Sequence, residues 1–313
     1  MFHHVKDLQF NARVSKPDPR FAALLLEQFG GGNGELKAAM QYFIQAFTAR
    51  MPHPDLYDLL MDIATEEFSH LEIVGATITM LTDGVQGELK NAVATNPVAQ
   101  MATGDGAHRD DLIHHALQNP QFLVETGGGP ALTNASGVPW QGYYVNANGD
   151  PTVDLRSDIA AESRAKIVYE YLLKFTDDPL VQESLRFLMT REVAHFQQFT
   201  AALNSIEPNF PPGQLQADVR YANTAFNMST GGDVRGPWNQ GQGPWNKGEE
   251  WNYIEDPIKT VKETTGLLQI KPKGTKQTAE ENKKLEQTLS EQRSMQVKKS
   301  MPKGEKQWSS YKE

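Results

Sequence analysis

Two short stretches of the chain, TEEFSH at residues 65–70 and REVAH at residues 191–195, each set a glutamate three residues ahead of a histidine. On a helix that spacing puts a carboxylate and an imidazole on one face, a turn apart, which is a pair of donors for a divalent cation. The faces they share are otherwise apolar. In the first, every third and fourth residue gives Leu60, Ile63, Glu67, His70, Val74, Thr77 and Leu81; in the second, Val181, Leu185, Leu188, Glu192, His195, Phe199 and Ala202. Both Glu-x-x-His pairs therefore point toward a core.

Two more inward acids accompany them. Glu35 falls on a stripe with Ala39 and Tyr42, and Glu162 on a stripe with Ala165 and Tyr169. Each lone glutamate precedes a Glu-x-x-His by a similar distance, 32 residues from Glu35 to Glu67 and 30 from Glu162 to Glu192, so the chain crudely repeats itself. One acid from each of two helices and a Glu-x-x-His from each of two others is the donor set of a dinuclear carboxylate site inside a four-helix bundle. Electrostatics explains why these residues travel together. An ionised carboxylate in an apolar core costs several kcal/mol or more, so four of them with two imidazoles need compensating cations. Two divalent metals supply that charge, and an oxygen-rich shell suits manganese or iron better than copper.

Other polar residues read differently. A single Glu-x-x-His is a weak signal; two, in register with two lone acids, are a strong one. Of the tyrosines, only Tyr42 is placed near the metals, and Tyr169 reads as a core residue. Glu66 lies about 100° off the stripe and belongs by default to a solvated face. His3, His4, His53, His108, His114 and His115 match no ligand spacing. GGGNGEL lacks the Gly-Lys-Ser/Thr ending of a phosphate loop and follows a helix rather than a strand, so it is not one.

The elements that must position these groups are mostly helical. At 313 residues and 39% hydrophobic content the chain can bury a large core. A short helix spans about 19–29, ended by the glycines of GGGNG. Asn33 is the expected N-cap of a helix from about Glu35 to Arg50, stopped by Pro52 and Pro54. The next runs from about Asp55 to Leu81, a third from about Ser157 to Phe175, and a fourth, capped by Asp178 with Pro179 at its first position, ends near Asn204. Between the second and third lies a long crossover, 83–154, in which WQGYYVNANGDPTVDL reads as a small β-hairpin turning at Asn-Gly-Asp. The fold class expected is all-α, a ferritin-like four-helix bundle over 1–210. An extended arm, 211–255, with two copies of GPWN, is suited to oligomer contact. A charged tail, 256–313, reads as flexible or loosely helical.

Composition narrows the function. There is no cysteine, which excludes disulfides, thiolate ligands and cysteine nucleophiles. A net charge of −9 argues against nucleic acid as a partner and favours a small or neutral substrate. No segment approaches the roughly 20 apolar residues of a membrane span, and a cytoplasmic location is expected.

At this point the sequence resembles a known family, the non-haem manganese catalases of the ferritin-like bundles. The resemblance covers residues 1 to about 255 and rests on GGGNGELKAAMQYF, DIATEEFSHLE, RSDIAAESRA and REVAHFQQF, in that order. It implies disproportionation of hydrogen peroxide to water and dioxygen by a two-electron cycle, with two manganese ions per subunit. Glu35, Glu67 and His70 would surround one ion, and Glu67 would bridge to a second held by Glu162 and His195. Glu192 is then an outer-sphere acid/base and Tyr42 an outer-sphere hydrogen-bond partner. Some members carry an arginine just before the third-helix glutamate; here Ala161 stands there, implying a more open access channel. Homo-hexamers and a calcium ion near the arm are also implied, the calcium by Asp58, Asp62, Asn227, Ser229 and Gly231. Other readings of the same donors are a di-iron ferroxidase or peroxidase and, in a different class, a structural coat or interaction protein.

Overall fold

The computed structural model describes residues 5–84, 125–206, 224–229 and 252–265. The chain divides into two compact units, Met1–Gln216 and Ala217–Glu313. In the first unit the described helices are α1 (Pro19–Gly30), α2 (Glu35–Ala49), α3 (Pro54–Leu81), α4 (Pro151–Leu172) and α5 (Pro179–Ser205). Three share one start signal. Asp18, Asp150 and Asp178 each accept a backbone N–H of the first turn through the side chain, and a proline follows at the first helical position. α2 starts differently. Gly34 occupies its N-cap position without a side-chain cap, and Asn33, expected there, accepts a hydrogen bond from Arg164 Nε at 3.0 Å instead. Gly34 is required by crowding, because a Cβ there would stand 2.6 Å from the backbone oxygen of Gln28.

α2 packs on α3 and α4 on α5, while α2 also meets α4 and α3 meets α5, so the four long helices enclose a common interior; α1 packs against α3, α2 and α4. The buried apolar side chains form two clusters. One gathers Phe21, Leu25, Ile73, Ile78, Leu172, Val181 and Leu185; the other gathers Tyr42, Leu56, Leu60, Ile63, Leu155 and Phe199. On α3 the first cluster begins at Ile73 and the second ends at Ala64, so Glu67 and His70 fall between them. The same holds on α5, where Glu192 and His195 separate Leu188 from Phe199. The polar residues thus form a layer with hydrocarbon above and below.

The hairpin expected at Asn-Gly-Asp does not form. Asn148 and Gly149 donate their backbone N–H groups to the Asp154 carboxylate at 2.7 and 3.0 Å, and Asp150 caps α4, which starts well before Ser157. Residues 142–144 make one 3₁₀ turn, and an isolated antiparallel bridge joins Thr133 to Pro139 across Gly137, whose φ is +77°. The remainder of the crossover, including His108, His114 and His115, lies outside the described residues, as do His3, His4, both GPWN copies and the tail beyond 265.

In the second unit, β1 (Thr224–Phe226) and β2 (Asn252–Ile254) pair in parallel, Thr224 opposite Asn252. A helix, α6 (Pro257–Thr265), follows within the segment expected to be tail.

Candidate metal centre

Glu35 from α2, Glu67 and His70 from α3, Glu162 from α4, and Glu192 and His195 from α5 meet between the two apolar clusters, none more than 1% exposed. Glu67 is central. Its Oε2 lies 3.1 Å from His70 Nδ1 and its Oε1 2.7 Å from His195 Nδ1. Around His70 Nδ1 stand Glu192 Oε1 at 3.6 Å and Glu35 Oε2 at 3.7 Å, while Glu162 Oε2 is 3.9 Å from His195 Nδ1. One donor atom each from Glu35, Glu67, His70 and Glu192 lies within 4.8 Å of the others, and so does one each from Glu67, His70 and His195. The two imidazoles stack with centroids 5.5 Å apart and planes 21° from parallel.

A tyrosine holds the acid of each lone-glutamate helix. Tyr42 on α2 donates its hydroxyl to Glu162 on α4, and Tyr169 on α4 donates to Glu35 on α2. The crude internal repeat is therefore a reciprocal contact. Tyr169, read from the sequence as a core tyrosine, touches the cluster as directly as Tyr42 does. The sequence contains the signal, because Tyr169 follows Glu162 by the same seven residues that separate Tyr42 from Glu35.

Glu66 also departs from expectation. Its side chain is 19% exposed rather than solvated, and accepts from Arg191 Nε at 2.6 Å and Gln9 Nε2 at 2.8 Å, with His195 Nε2 3.1 Å away. These partners come from α5 and from the segment preceding α1, which no periodicity along α3 could show.

Several of the converging atoms have no hydrogen-bond partner: Glu35 Oε2, Glu67 Oε1, Glu162 Oε2, both oxygens of Glu192 and His195 Nδ1. Orphaned buried acceptors are rare in a finished structure, and here they face one another. Protons carry the compensation in the protein alone. Burial pushes Glu35 up to about 7 and Glu162 up to about 8. Glu192 is driven well above the usual carboxylate range by burial and by the charges of Glu35, Glu67 and Glu162. For Glu67 burial also acts upward, but the charges of His70 and His195 and the His70 hydrogen bond outweigh it and hold the group low. Burial would lower both histidines; the surrounding carboxylates instead raise His195 to about 10 and His70 well above its ordinary value. A divalent cation would do the same work without protons, and the donors, all oxygen or imidazole nitrogen, fit a hard or borderline metal.

Beside the cluster, Asp158 on α4 is fully buried, accepts from Gln41 Nε2 at 2.7 Å and is pushed up to about 8 by burial. It borders a cavity of about 60 Å³ at one end of the helices, which Gln45, His53 and Leu60 also line.

The proposed calcium residues are not assembled within one unit. Asp58 and Asp62 are exposed on α3 in the first, whereas Asn227 and Ser229 belong to the second, where Asn227 Oδ1 accepts from Ser229 N at 3.1 Å; Gly231 lies outside the described residues. Among the described residues, no helix is long and apolar enough to cross a membrane.

The chain is similar to known proteins over most of its length. The family profile described as "Manganese containing catalase" matches residues 1–291. A probable manganese catalase of Clostridium acetobutylicum is 41% identical over 209 residues, covering 66% of this chain and 81% of its own length. A manganese catalase of Bacillus subtilis is 31% identical over 279 residues, covering 87% of this chain and 96% of its own length. The crystal structure of KatB, a manganese catalase from Anabaena, superposes with a TM-score of 0.63 at 35% identity, over 82% of this chain and all of that one. The family profile spans nearly the whole chain and the reciprocal Glu/His cluster sits where the helices converge, so this protein belongs to the manganese-containing catalase family.

Proposed function

We propose that this protein disproportionates hydrogen peroxide to water and dioxygen at a pair of manganese ions held inside a ferritin-like four-helix bundle. The observation that carries this reading is Glu67, whose two oxygens face the Nδ1 atoms of two different histidines and would be shared between the ions those histidines hold. Glu35, Glu67 and His70 would hold one ion, and Glu67, Glu162 and His195 the other. When bound, the manganese pair supplies the two-electron redox couple that peroxide disproportionation requires.

The chain's own residues do the rest. Glu192, fully buried and with no hydrogen-bond partner on either oxygen, is placed to hold a proton beside the reacting peroxide and exchange it as the two half-reactions alternate. Tyr42 and Tyr169 each fix one oxygen of Glu162 and Glu35, leaving the other free to bind. The apolar clusters on both sides restrict the interior to a small substrate and hold bulk water away.

The same donors accept iron, so the deciding experiment measures oxygen evolution on adding peroxide and the metal content of the same sample. Rapid oxygen release with about two manganese per chain is expected; iron-loaded protein with oxidase activity, or inert protein, would overturn the reading. A cytoplasmic location and a homo-hexamer built through the 211–255 arm complete the proposal. Exposed apolar side chains such as Phe47 and Phe175 support the oligomer, and sedimentation tests it.

A further inference from the structure

Glu66 and Glu67 are consecutive on α3 yet lie on opposite edges of the same two imidazoles. Glu67 faces both Nδ1 atoms; Glu66 faces both Nε2 atoms, at 3.1 Å from His195 and 3.5 Å from His70. The His195 contact has hydrogen-bond geometry, whereas His70 Nε2 makes no hydrogen bond. Glu66 is itself fixed. Arg191 grips both its oxygens, at 2.6 and 3.3 Å, and Gln9, from the segment before α1, donates to Oε1 at 2.8 Å. That segment is pinned by Phe10 stacking on Phe187, centroids 4.6 Å apart, and by Ser15 bonding Asp178.

We propose that Glu66 is a positioning residue for the metal centre: clamped by Arg191 and Gln9, it takes the Nε2–H of His195, and more weakly that of His70, so that both rings present Nδ1 to the metals. The inference rests on the proposed dinuclear site. A neutral imidazole binds metal through one nitrogen, and the hydrogen bond made by the other sets the tautomer and the ring's rotation. One carboxylate serving rings on two helices ties the two half-sites together. The unequal distances make the effect unequal, greater on the ion at His195 than on the ion at His70.

The test uses full-length protein, metal-free and reloaded with Mn(II), as wild type, Glu66→Ala, Glu66→Gln and Gln9→Ala, with the exposed Glu72→Gln as a control. Equilibrium dialysis reads affinity, and electron paramagnetic resonance reads the coupled Mn(II) pair. Loss of an outer carboxylate of this kind weakens metal binding about 10- to 100-fold, so Glu66→Ala should bind manganese that much more weakly. One ion should leave before the other, and the pair signal should give way to that of isolated Mn(II). Glu66→Gln, which can still accept the ring N–H, should fall between, and Gln9→Ala should shift the same way by less. Wild-type affinity and an intact pair signal in Glu66→Ala would overturn the proposal. So would equal losses of thermal stability in the metal-free and metal-loaded forms, since a purely structural role leaves the metal-induced increment unchanged. If Glu66→Ala does not fold, the same criteria apply to the two milder variants. Wild type that binds manganese but evolves no oxygen would sink the catalase reading and leave this inference standing.

Discussion

At the scale of single residues, the centre is built from side chains whose ordinary place is the protein surface. Six of them, Glu35, Glu67, His70, Glu162, Glu192 and His195, are legible in the sequence because a three-four periodicity is strict: an acid or imidazole there occupies a slot that otherwise holds an apolar side chain. Glu66 is not legible, since its offset along α3 reads as solvent until α5 and the N-terminal segment bring Arg191 and Gln9 over it. Glu192 is the residue whose role geometry alone divides least. It stands as near to His70 as Glu35 does and shares the same group of mutually close donors. Substituting Glu192 by Gln keeps the shape and removes the ability to carry a proton. The expected result is a protein that retains about two manganese per chain and loses roughly 10²- to 10⁴-fold in turnover, the usual weight of a general acid/base. Metal analysis beside oxygen evolution checks it; loss of one ion along with the activity would make Glu192 a ligand instead.

Among elements, helix starts carry the positioning. Asp178-Pro179 is legible as a cap followed by a first-turn proline, and Asp150-Pro151 is the same signal, masked by the preceding Asn-Gly that suggests a turn. The turn chemistry is real but serves the helix: Asn148 and Gly149 donate inward to Asp154, one turn into α4, rather than across a hairpin. α4 matters because Asp158, Glu162 and Tyr169 all hang from it, and its first turn fixes where they fall. Asp150 accepts from Thr152 N at 2.9 Å, Val153 N at 3.1 Å and the Thr152 hydroxyl at 2.8 Å. Removing such a cap typically costs about 1 kcal/mol. Asp150→Ala should therefore lower the urea midpoint of the metal-free protein, by less than Asp178→Ala, whose carboxylate also holds Ser15, with metal stoichiometry unchanged, because Pro151 still fixes the first turn.

For the molecule as a whole, the centre is a buried charge problem that protons solve poorly and metal solves well. Glu35 and Glu162 have folded values near 7 and 8, above the ordinary 4.5, and His195 is near 10, above 6.5. In each case the folded protein binds its proton more tightly than the unfolded chain does, so the stability these groups contribute is full below their unfolded values and drains away as pH rises through the folded ones. Glu67, held low by the histidines, has the opposite sign, but its contribution is lost only in strong acid. The metal-free protein should accordingly melt at progressively lower temperature from about pH 5.5 to about pH 9. Manganese reverses the slope. Binding displaces those protons, so affinity rises with pH, and a ligand that binds only the folded state stabilises it by an amount that grows with affinity. The metal-induced rise in melting temperature should then be small near pH 5.5 and largest near pH 8, with protons released into a weak buffer on loading. Scanning calorimetry of both forms across that range checks the sign. A metal-free protein whose stability climbed with pH would mean that the cluster is neutralised by something other than its own protons.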